Sequence, residues 1–125
     1  MLERNQNNSY FRAQKLKKIS DRYKFLNQEI NFQQLCCGQG TIQKNRRDFV
    51  EVVDKTLASL DHFYKKFIMA EFFSKNRDDQ FWWTAIYSRS TYYRYRKESI
   101  ERFLKVFYEF YKQVYGFNYY DAIQL

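Results

Sequence analysis

The chain has no proline and only three glycines among its 125 residues, so the two residue types that most often break or weaken helices are nearly missing. Long uninterrupted helices are therefore the expected elements. A single histidine, His62, supplies neither a metal cluster nor a general base with partners, and it reads as a helix-surface residue. The only cysteines, Cys36 and Cys37, are adjacent. That spacing fits neither a zinc knuckle nor a redox motif, which need intervening residues to aim two sulfurs at one point. Two reduced thiols in a cytoplasmic protein are expected. The N-terminus is polar and no apolar run approaches the ~20 residues that span a bilayer, so neither a signal peptide nor a membrane segment is predicted. Walker loop, dinucleotide fingerprint and nucleophile elbow are all missing. Asp78 and Asp79 are neighbouring carboxylates, but neighbours on a helix diverge by ~100° and suit a cap and first turn. No enzyme activity, cofactor or metal is expected.

What is present in excess is aromatic and basic. Aromatic residues make up 22% of the chain, although tyrosine, phenylalanine, lysine and asparagine all have AT-rich codons, which discounts that figure. Lys and Arg total 22 against 14 Asp and Glu, a formal charge of +8, and such a balance draws a protein toward polyanions, nucleic acid first among them. Codon bias alone would spread lysines. Instead Arg89, Arg94, Arg96 and Arg102 crowd into one segment.

The length allows one ordinary domain, taken as residues 1–125, and the fold class predicted is all-α, a bundle of about four helices with a helix-turn-helix in the C-terminal half. Leu16, Ile19, Tyr23, Leu26 and Ile30 recur at three- and four-residue steps, predicting an amphipathic N-terminal helix over 9–35. Its other face carries Arg12, Lys15, Lys17, Lys18, Arg22 and Lys24, expected as a solvated basic face. The heptad-like register serves either a bundle core or a homodimer, with core packing the preferred use. Cys36 to Gly40 is expected to end this helix, Gly38 supplying the left-handed stop. Phe49, Val53, Thr56, Leu60, Phe63 and Phe67 predict a second helix from Lys44 to Phe73. A loop over 74–78, a short helix from Asp79 to Ile86 and a last helix from Arg89 to Tyr115, stopped by Gly116, complete the reading. Residues 117–125 are expected to pack as a tail through Phe117, Tyr119 or Tyr120.

Tyr87 to Phe103 carries the most specific signal. Ser88 is placed to cap a helix, and Arg89, Ser90, Tyr93, Arg94 and Lys97 then share one outward flank, while Tyr92, Tyr95, Ser99 and Ile100 face inward. Such a flank offers donors to phosphates and guanine edges in a major groove. Arg96 and Arg102 lie nearer its boundary, where phosphate contact is expected. Trp82 and Trp83 are expected to fill core with their indole N–H groups bonded at the edge. Residues 79–103 supply the order of a helix-turn-helix.

This stretch, Ser88-Arg89-Ser90-Thr91-Tyr92-Tyr93-Arg94 followed by basic residues and Ile100-Glu101-Arg102-Phe103, resembles phage late-gene transcription regulators of the ArpU and RinA type. Those are similar in turn to the C-terminal helix-turn-helix of sigma-70-type factors, and the stretch also resembles small uncharacterised mollicute proteins. The resemblance is specific over 79–103 and weaker from Leu57 onward, implying a sigma-like half over 44–115; it leaves the N-terminal helix unexplained. It implies double-stranded DNA contact by Arg89, Ser90, Tyr93, Arg94 and Lys97, with Ser88 and Thr91 organising the turn and RNA polymerase as a further partner. The chain departs from the pattern where such units place a small residue and a glycine, at Trp82 and Ile86. The leading expectation is a sequence-specific DNA-binding transcription regulator. Its alternatives are a helical module bound to RNA polymerase without independent DNA binding, and a nonspecific RNA or single-strand binder stacking bases on Tyr93 and Tyr95. Burial of both rings would remove that last platform.

Overall fold

Four α-helices wrap one apolar core in a computed structural model that describes residues 2–37, 44–74 and 80–116, with side chains from 9–35, 46–74 and 80–116. They are α1 (Leu2–Cys37), α2 (Lys44–Ser59), α3 (His62–Ile68), continued by a π-helical turn over Met69–Phe73, and α4 (Arg89–Tyr115). Among the described residues there is no strand. None of their helices is long and apolar enough to cross a membrane. Gly38, Asp78, Asp79 and the tail 117–125 lie outside the described residues, as do the side chains of Cys36 and Cys37.

The three- and four-residue steps of α1 and α4 meet as expected. Leu16, Ile19 and Leu26 are buried in the same cluster as Phe49, Phe103 and Phe107, so the seam of α1 serves an intramolecular core. Phe103 and Phe107 lie nearly parallel, centroids 5.9 Å apart, and Phe49 meets Phe107 edge-on at 6.0 Å. The basic face of α1 is only partly a solvated one. Arg12 pairs with Glu101 at 2.9 Å, Arg22 lies 4.8 Å over the Phe49 ring, and Lys24 Nζ donates to the Phe72 carbonyl at 2.7 Å. Tyr10, Phe11, Phe25, Phe32 and Leu35 are exposed on α1, so its outer face is not uniformly polar.

The helix predicted from Lys44 to Phe73 is not continuous. It breaks at Leu60 and Asp61, where Asp61 adopts an extended backbone (φ −56°, ψ 147°) and its carbonyl accepts from Lys65 N–H at 2.9 Å to start α3. Just before the break, Thr56 and Ser59 hydroxyls donate to the carbonyls of Val52 and Lys55, each at 2.8 Å, a back-bonding that bends helices. The turn re-aims α3, and Phe63, on the apolar stripe of the predicted helix, is 39% exposed. The π-turn then widens the helix by a residue, and Phe72 and Phe73 both reach the core.

The predicted short helix from Asp79 to Ile86 is also corrected. Residues 80–86 form turns, with Thr84 N–H bonded to Phe81 O at 3.1 Å and Ile86 N–H to Trp83 O at 2.9 Å. Beside these three-residue closures a single four-residue one, Tyr87 N–H to Trp83 O at 2.8 Å, falls short of an α-helical ladder. Two bulky tryptophans at 82 and 83 instead pack in different directions, Trp82 against Phe67 and Trp83 against Tyr92.

Candidate nucleic-acid interface

The start of α4 is set by Ser88, whose extended backbone (φ −69°, ψ 161°) presents Oγ to the Thr91 N–H at 3.3 Å. The same hydroxyl donates to Thr91 Oγ1 at 2.9 Å. Ser88 and Thr91 thus fix the turn together. From this cap the helical period sorts the side chains as the sequence implied: Arg89, Ser90, Tyr93, Arg94 and Lys97 are exposed, Tyr92, Ser99 and Ile100 are buried, and Tyr95 is half-buried. Among the described residues, Arg89, Arg94 and Lys97 have no carboxylate within ion-pair distance. Arg94 lies 5.1 Å over the Tyr95 ring. A patch of three uncompensated cations follows.

Arg96 and Arg102 flank that patch on opposite edges. At 100° per residue they point about 120° apart. Arg96 Nε donates to Glu71 Oε2 at 2.6 Å, with Glu71 only 11% exposed. Arg102 is exposed and lies 4.9 Å over the Tyr64 ring of α3.

Glu71, in the π-turn, was not singled out by the sequence. Its other oxygen accepts from Trp82 Nε1 at 2.9 Å, while the Tyr92 hydroxyl shares Oε2 with Arg96. One carboxylate therefore ties the π-turn, the turn segment and α4 together. Burial, then the hydrogen bond to Glu71 and its charge, pushes the Tyr92 hydroxyl well above its ordinary pKa. No local signal marks such a residue, because its partners lie 11, 21 and 25 positions away.

The aromatic residues around this carboxylate form a wall. Trp82 meets Phe67 edge-on at 5.3 Å, and Trp83 stacks on Tyr92 with centroids 4.2 Å apart and planes 13° from parallel. Both tryptophans are half-buried and both indole N–H groups are bonded, Trp83 to the Gln80 carbonyl at 3.1 Å. Tyr95 is held edge-on by Phe63 at 4.8 Å and Tyr87 at 5.3 Å. Tyr93 is 50% exposed, and so is available to a ligand; Ile86 is 65% exposed.

The helix left unexplained by resemblance borders the flank. Ser9 and Arg12 of α1 share a shallow cavity of about 200 Å³ with Tyr93, Arg96 and Lys97. The signal for this adjacency was the basic N-terminal half of α1. No family model, curated protein or solved structure matches the chain.

Proposed function

We propose that the chain is a sequence-specific DNA-binding transcription regulator of the phage late-gene type, acting in the cytoplasm on double-stranded DNA with the first turns of α4 in the major groove. One observation carries the reading: a capped helix end presents Arg89, Ser90, Tyr93, Arg94 and Lys97 on one exposed flank, its three cations without a carboxylate partner among the described residues. Arg89 and Arg94 read guanine edges by bidentate bonds. Ser90, Lys97 and Arg12 contact phosphates on the side bordered by α1, and Arg102 does so on the other. Arg96, fixed by Glu71, keeps its terminal nitrogens for a phosphate near Tyr93.

The test is fluorescence anisotropy against a randomised duplex pool and an unrelated duplex at two salt concentrations. Arg94→Ala is expected to lose about 1–3 kcal/mol on the selected site and to relax specificity there. Equal weakening on every duplex would assign Arg94 to phosphate, and weak binding that vanishes with salt and ignores an Arg89/Arg94 double-alanine variant would sink the reading.

A second reading is a helical interaction module held on RNA polymerase without DNA binding of its own. It is favoured by the turns over 80–86, which stand where a recognition unit has its supporting helix and leave Ile86 exposed. Retention of polymerase by the immobilised full chain, lost in Ile86→Asp, is its expected mark.

A further inference from the structure

Beside the recognition flank, α1, the π-turn, the turn segment and α4 border an open cleft of about 800 Å³, within the size range of small-molecule sites. Its walls are aromatic. Phe81 is 65% exposed and Tyr93 is 50% exposed, and both line the cleft with Trp83. Trp83 is fixed by its stack on Tyr92, which also lines the cleft. Such rings present flat faces on which a planar heterocycle stacks, at a gain that does not depend on base identity.

The polar groups select an anion. Glu71, at the floor, has both oxygens engaged by Trp82, Tyr92 and Arg96, so its charge is matched inside the site. Lys17, on the α1 rim, is exposed and has no ion-pair partner among the described residues. The terminal nitrogens of Arg96 make no hydrogen bond to a described residue. The net result is a stacking surface beside one uncompensated cation and one guanidinium with donors to spare.

We propose that the cleft lined by Lys17, Phe81, Trp83, Tyr93 and Arg96 binds a nucleoside monophosphate unit, its base stacked on the aromatic wall and its phosphate held by Lys17 and Arg96. The unit comes either as a free mononucleotide or as an unpaired nucleotide of a single strand. The inference shares Tyr93 and Arg96 with the duplex reading but not Arg89 and Arg94, which lie outside the cleft lining, so Phe81 and Lys17 separate the two.

Both tryptophans of the chain line the cleft, so indole emission of the full chain, excited at the red edge of its absorption, reports on this site. The probes are a nucleoside monophosphate, the matching nucleoside, inorganic phosphate and a short unstructured single strand. Saturable quenching by the monophosphate or the strand, stronger than by nucleoside or phosphate alone, is expected. Response to the monophosphate assigns a free nucleotide, and response to the strand alone assigns a strand nucleotide. Phe81→Ala should weaken binding about tenfold, and Lys17→Ala about threefold with a flatter salt dependence. Neither side chain belongs to the apolar core, so the far-UV circular dichroism of both variants should match the parent. No saturable quenching, an equal response to inorganic phosphate, or binding indifferent to both substitutions overturns the proposal. Quenching that follows the Arg89/Arg94 double variant instead of Phe81 would also overturn it, by placing the ligand on the recognition flank.

Discussion

From Ile100 to Tyr111, α4 is fixed by apolar burial against α1 and α2, whereas from Ser88 to Arg96 it is fixed by a cap, ring stacking and a single carboxylate. The lower half rests on no single polar contact, its Arg12–Glu101 pair lying at the partly exposed surface. The upper half depends on Glu71, whose loss would release Trp82, Tyr92 and Arg96 at once. A core holds position by summing many weak contacts, while a hub holds it by few directional ones. The exposed flank of α4 is built on the second kind. That leaves the exposed flank free of apolar packing demands, and it makes the geometry of the first turns of α4 depend on one carboxylate, Glu71.

The largest expected effect lies in the lower half. Phe107 is fully buried between Phe49, Phe103 and Tyr111, and Phe107→Ala should cost about 3–5 kcal/mol in urea unfolding. Tryptophan emission and far-UV circular dichroism should lose structure together, because the whole bundle shares that core. A cost under about 1 kcal/mol would mean that the aromatic stack is not what holds α4.

Next in size is Glu71→Ala. It strands three donors, but Arg96 is about one-third exposed and can turn to water, so a cost of about 2–3 kcal/mol is expected rather than the full penalty of an orphaned buried charge. Here the two probes should separate, tryptophan emission changing at lower urea than helix content. Coincident transitions would erase the distinction between the halves.

Alkaline titration probes both halves in one experiment. Burial, assisted by Glu71, raises Tyr92 in the upper half, and burial raises Tyr111 and Tyr115 in the lower, Tyr115 to about 12 with Asp48 adding to the shift. Burial and the Asp54 carboxylate raise Tyr23 likewise. In the unfolded chain these hydroxyls ionise near pH ~10. Above that pH the unfolded state has released protons that the folded state retains, so stability is full below pH ~10 and falls as pH rises toward the folded values. Thermal unfolding midpoints should be flat from neutrality to about pH 9.5 and drop beyond. Tyr92→Phe should make the drop shallower, and an unchanged profile in that variant would remove Tyr92 from the titrating set.

The contrast also explains what the sequence made legible. The Ser88 cap, the inward and outward sorting of Arg89 to Ile100 and the stop at Gly116 (φ +76°, its N–H bonded to Lys112 O at 2.8 Å) follow from local chemistry and helical period. The break at Leu60 and Asp61 was hidden because the three- and four-residue steps run through it unchanged. The turns over 80–86 were hidden because nothing in the local pattern shows that Trp82 and Trp83 turn toward Glu71 and Tyr92. Glu71 itself was invisible among fourteen acidic residues, since a hub is defined only by distant partners. Local rules reached the flank, and long-range contacts decided its support.

The smallest expected effect lies where the two halves join. Ser99 is fully buried, and its Oγ has no hydrogen-bond partner among the described residues. Its side chain faces the same core as Ile100 and Phe103, so a small residue suits the close packing there. Alanine keeps that size, removes a hydroxyl whose desolvation is uncompensated and favours the helix. Ser99→Ala should therefore be neutral or stabilising by up to about 1 kcal/mol in urea unfolding, with duplex and nucleotide binding unchanged. A clear loss of stability would show that the hydroxyl bonds a carbonyl one turn earlier in α4. In that case the junction would belong with the directional upper half and not with the apolar lower one.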